Sequence, residues 1–105
     1  MVAQNSLDDR LVMASRWRRR TMCVLVADQP APAAMRRVSA SGAFLETNAR
    51  PAVGATVELQ HPEAGAISGR VHAIAEDGIA IRFERSDRSV AFALAAIAAD
   101  MSRPA

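Results

Sequence analysis

Two concentrations of hydrogen-bond donors stand close together in the first half of the chain. Arg16-Trp17-Arg18-Arg19-Arg20 is one; the other, Arg36-Arg37-Val38-Ser39-Ala40-Ser41-Gly42, ends in a turn of small residues. Guanidinium forks match phosphate oxygens and the O6/N7 edge of guanine. Serine hydroxyls donate or accept at short range, and glycine lets the backbone turn with φ > 0 while a ligand lies close. Such a turn, feeding the apolar run Ala43-Phe44-Leu45, can present hydroxyls and bare backbone N–H groups. Both groups of donors suit one anionic ligand. The donors available are the arginines of the first group, Arg19 and Arg20 among them, and Arg37, Ser39, Ser41 and Gly42 of the second.

The elements that must position these groups read as short strands. Thr21–Ala27 carries the apolar run Met22 to Val26 and stops at Asp28-Gln29-Pro30. Residues 29–34 read as a loop, because neither Pro30 nor Pro32 can extend a ladder. A second strand is expected from Met35 to Ser39 and a third from Ala43 to Thr47. Thr56 to Gln60 alternates as a half-buried strand does, and His61-Pro62-Glu63-Ala64-Gly65 breaks it. The next strand, Ile67 to Ile74, places Ile67, Val71 and Ile74 less regularly and suggests a bulge at Gly69. Asp77-Gly78 signals a two-residue hairpin, after which Ile79, Ile81 and Phe83 share one face.

Ser86-Asp87 then reads as a helix N-cap pair. Val90, Leu94, Ile97 and Met101 recur at helical spacing among alanines, marking one apolar face over about 87–101. That stripe either packs on its own domain or forms a dimer contact. Five or six short strands closed by one helix indicate an antiparallel barrel, or a curled sheet with a helix across it.

At 105 residues, half of them hydrophobic, the chain suits a single globular domain with one modest core. Residues 1–15 read as a flexible arm that orders only on docking, and residues 16–103 as the domain. No apolar run approaches the ~20 residues of a membrane span, and nothing resembles a signal peptide, so a soluble, cytoplasmic protein without membrane insertion is expected. Cys23, the single cysteine, reads as a small buried hydrophobe. The net charge is only +2, yet residues 16–37 hold six arginines against Asp28 alone.

In order and spacing these pieces resemble the PilZ domain family. The resemblance rests on Arg16-x-x-x-Arg20, a strand, x-x-Ser39-x-x-Gly42 running into Ala43 to Thr47, the stretch Val71 to Phe83, and the terminal helix. It covers residues 16 to about 101. It implies an all-β fold with one C-terminal helix, a six-stranded antiparallel barrel, and binding of the bacterial second messenger cyclic di-GMP. By the same resemblance Arg16 and Arg20 grip phosphates and guanine edges, while Ser39 and Gly42 contact the other side of the ligand. One position departs from the family pattern: Arg37 stands where an Asp or Asn is usual. Guanidinium has donors only, so one guanine edge loses an acceptor; Arg37 can instead stack on a base or meet a phosphate.

The implied function is a cyclic di-GMP effector that relays the messenger to a partner protein as its arginine arm orders. The alternative is a degenerate module that binds no nucleotide and acts as a protein-protein interaction adaptor. Trp17 suits either stacking on a purine or tucking against the barrel. Single-stranded nucleic acid is disfavoured as a partner, because Phe44 and Phe83 both read as core-facing and leave no stacking surface. No nucleophile motif or metal-ligand spacing points to an enzyme, His61 and His72 included. A monomer or weak dimer is expected, with no cofactor beyond the nucleotide ligand.

Overall fold

The computed structural model describes residues 20–102. The expected arm, and with it Arg16 and Arg19, lies outside the described residues. Six strands, β1 (Thr21–Val26), β2 (Pro30–Ser39), β3 (Gly42–Glu46), β4 (Thr56–His61), β5 (Gly65–Ala75) and β6 (Gly78–Arg82), are followed by helix α1 (Asp87–Ser102). The strands close into an antiparallel barrel, as expected, and lie in the order β1-β2-β3-β6-β5-β4. Alternate residues point inward, so Cys23, Leu25, Met35, Leu45, Leu59, Val71, Ile79 and Ile81 fill the interior. Among the described residues no helix is long and apolar enough to cross a membrane.

Cys23 is 1% exposed, and burial pushes its thiol up to about 11. The thiolate is therefore scarce at neutral pH. A maleimide or disulfide reagent at pH 8 should label the native protein only as fast as the barrel opens, with full labelling in denaturant. Labelling at the rate of a free thiol would contradict the burial.

β2 starts five residues earlier than the prolines suggested, and Pro30 and Pro32 pair with Val26 and Val24. The carbonyl of Pro32 accepts a hydrogen bond from Thr47 Oγ1 at 2.8 Å, so its polar edge faces away from β1. A strand residue turns its N and O to the same side, and β3 has already ended opposite Ala34. The missing N–H groups thus fall where no ladder bond is needed. The bulge in β5 also differs from expectation: the register shifts at His72, between Val71 and Ala73, not at Gly69. The two-residue hairpin loop is Glu76-Asp77, and Gly78 is already in β6. Gly78 is needed for closeness, since a Cβ there would run into the Leu45 carbonyl.

Ser86 caps α1, its Oγ accepting from Ser89 N at 3.2 Å while Ser89 Oγ accepts from Ser86 N at 2.9 Å. The face turned to the barrel is Ser89, Phe92, Ala93 and Ala96. The expected stripe of Val90, Leu94, Ile97 and Met101 points outward, with Leu94 64% and Met101 78% exposed. The helix is apolar on every side, so periodicity could not choose a face. Packing chose it: alanines let the helix lie close to the rim, and a single ring, Phe92, enters the mouth. There Phe92 meets Phe83 and His61 edge to face, with centroids 5.6 and 6.0 Å away. His61 is tied to the β4–β5 turn, its Nδ1 accepting from the N–H groups of Glu63 and Ala64 at 3.0 and 2.9 Å.

Candidate functional site

The outer face of β2 and β3 carries the site. A bulge at Arg36, between Met35 and Arg37, breaks the alternation of β2, so two successive arginines face solvent. Both lie over the ring of Phe44, the guanidinium carbons 4.3 Å (Arg36) and 5.5 Å (Arg37) from its centroid. Phe44 is therefore an outward platform, not the core residue that its apolar neighbours suggested. The inward positions of β3 are Ala43 and Leu45. Phe44 is one ring, not the aromatic set on which a strand of nucleic acid stacks.

Below Phe44 the surface dips into a cavity of about 540 Å³ lined by Arg37, Ser39, Ser41, Gly42, Phe44, His72, Ala80 and Arg82, among others. That volume lies within the range of small-molecule sites, ~300–1,000 Å³. Four of the candidate residues thus meet at one hollow. Ser39 Oγ accepts from the Ser41 N–H at 3.1 Å and shapes the Ala40-Ser41 turn. The Ser41 carbonyl accepts from Phe83 N at 2.8 Å and pins that turn to the end of the last strand. Gly42 does not need the left-handed backbone that its turn position suggested, for positive φ occurs only at Gly54 and Gly65 among the described residues. Its lack of a side chain answers a different demand: a Cβ would collide with the Ile81 carbonyl. The same closeness keeps the cavity floor bare.

Arg20 enters along the same outer face but does not line the cavity. Its guanidinium pairs with Glu46, which also takes Arg36 Nε at 2.8 Å, and Arg36 continues to Asp77. Burial works to raise the Glu46 carboxyl, but hydrogen bonds from Arg20 and Arg36 outweigh it and hold the group below the usual carboxylate range. The hydrogen bond from Arg36 likewise lowers Asp77. A carboxyl depressed in the folded state contributes stability above its unfolded pKa, about 4.3 for Glu and 3.9 for Asp, and loses it as pH falls through the folded value. Denaturant midpoints should accordingly decline below about pH 4. Glu46→Gln should flatten that acid limb; an unchanged limb would mean the network contributes nothing measurable.

Within the described residues, every ion pair belongs to this network of Arg20, Arg36, Glu46 and Asp77. The cavity lining includes two arginines and a histidine and no carboxylate. Sequence reasoning missed three contributors: Phe44, His72 and Arg82. The alternation of Ile79, Ile81 and Phe83 already implied that Arg82 faces out. His72 was hidden, because its placement depends on the bulge. No three His, Cys, Asp or Glu side chains among the described residues come together as a metal would require. Comparisons with protein-family models, curated proteins and solved structures found no match to this chain.

Proposed function

We propose that this protein is a PilZ-type effector that binds cyclic di-GMP and relays it to a partner protein as its N-terminal arginine arm orders. One observation carries the reading: Arg37, Ser39, Ser41, Gly42 and Phe44 line a single cation-rich hollow on the barrel wall. The Phe44 ring carries the guanidinium groups of Arg36 and Arg37, and the arginines offer forks to phosphate oxygens. Arg20 joins through Glu46 and Arg36, which reaches Phe44. Gly42 lies four residues from Glu46 along β3, roughly 13 Å at strand rise. Arg16 precedes Arg20 by four residues, a reach of up to about 14 Å. The leading segment is thus long enough to bring Arg16 over the hollow.

A second reading, an adaptor that binds protein and no nucleotide, draws on the outward apolar face of α1, where Val90, Leu94, Ile97 and Met101 stand exposed. Calorimetry with cyclic di-GMP separates the two. Saturable heat from the wild type supports the effector. Absence of heat, with binding regained in Arg37→Asp, whose carboxylate restores an acceptor for guanine N1–H and N2–H₂, supports the adaptor.

A further inference from the structure

The far wall of the hollow carries a cation, Arg82, that the serine-glycine turn does not account for. Across the outer face, Ser39 pairs with Gly42, Gly42 with Arg82, and Arg82 with Arg70. At ~4.8 Å between strands, Arg82 sits about 10 Å from Ser39, and only side-chain-free Gly42 lies between them. Arg70 and Arg82 are like charges directly opposite one another, an arrangement that destabilises a sheet unless something anionic joins it. Neither has a carboxylate in ion-pair range among the described residues, where the three ion pairs involve only Arg20 and Arg36.

Arg82 is also held in place. The bulge at His72 re-aims that side chain, and His72 Nε2 lies 3.2 Å from Arg82 Nη2. A guanidinium only donates, so the ring nitrogen it meets can serve in this contact only as an acceptor. On the near side Arg85 Nη1 reaches Ser41 Oγ at 3.5 Å and adds a further guanidinium at the turn. A braced arginine facing hydroxyls across a bare floor is a preorganised anion clamp.

We infer that Arg82, positioned by His72 and backed by Arg70, is a phosphate-binding residue that holds a nucleotide phosphate against the Ser39–Gly42 turn. The inference rests on the nucleotide reading above and adds a second wall to its site. Cyclic di-GMP titrations of the wild type and Arg82→Gln test it, alongside NMR titration of both with inorganic pyrophosphate. Arg82→Gln removes a like-charge pair from an exposed position, so its melting temperature should match or exceed that of the wild type. Its affinity for cyclic di-GMP should fall about 10- to 100-fold, the loss expected for one charge-assisted contact. His72→Leu should weaken binding by a smaller factor, and His72→Gln, which retains an acceptor, should recover it. Equal affinity in Arg82→Gln and wild type would overturn the clamp while leaving the nucleotide reading intact. If the wild type ignores cyclic di-GMP yet pyrophosphate shifts the Gly42 amide in an Arg82-dependent way, the clamp stands and the nucleotide reading falls. Silence toward both probes would sink both.

Discussion

Phe92→Ala should cost about 3–5 kcal/mol of unfolding free energy, the usual penalty for emptying a buried aromatic site. Phe92 is fully buried and meets Phe83 and His61 edge to face, so its loss leaves a void at the barrel mouth that neither ring can fill. Against a total stability of roughly 5–15 kcal/mol for a domain, that is a large share. The urea midpoint should fall accordingly, and the melting temperature by more than about 10 °C. Leu94→Ala is the control, since Leu94 is 64% exposed and its truncation should stay within about 0.5 kcal/mol. The pair of variants reports which face of α1 is buried. If Leu94→Ala were the costly change, the helix would be rotated and the stripe of Val90, Leu94, Ile97 and Met101 would be core.

On the proposed nucleotide reading, Arg16→Ala and Arg20→Ala combined should weaken cyclic di-GMP binding at least about 100-fold. Each guanidinium bond to a phosphate or guanine edge is worth about 1.5–3 kcal/mol, and tenfold in affinity is about 1.4 kcal/mol. Folding should be spared. Without Arg20, Glu46 keeps its 2.8 Å bond to Arg36 Nε, so no carboxylate is stranded. Binding by calorimetry and melting by circular dichroism should therefore part company, one collapsing while the other shifts by a few degrees at most. Undiminished binding by the double variant would remove the leading arginines from the site and leave the hollow on the barrel wall as the whole of it.

The barrel was legible in the sequence wherever one face of a strand is dry and the other wet. Thr56 to Gln60 and Ile79 to Phe83 alternate, and the structure buries the residues that alternation selects. The helix start was legible too, through Ser86. What escaped had physical reasons in common. Pro30 and Pro32 forbid a ladder bond on one side only, and a sequence does not say which side of a strand will be free. Phe44 sits between apolar neighbours, so local pattern could not tell platform from core. In α1 the large side chains drew attention, whereas the rim selected the small ones and Phe92. Of the site, the turn from Ser39 to Gly42 stood out by residue type. Its opposite wall did not, because Arg82 meets Gly42, and His72 meets Arg82, only once the strands are in register.

The two bulges also bear on how this chain tolerates lost codons. Arg36 in β2 and His72 in β5 are each one residue more than the facing strand requires. Deleting either would restore regular pairing and leave the dry interior in phase, since the extra residue has no counterpart across the ladder. A deletion elsewhere in the same strands would swap inside for outside along the remainder. The barrel should thus survive the loss of Arg36 or His72 while its outer wall is rewritten, so binding chemistry can change there by a single deletion without a new fold.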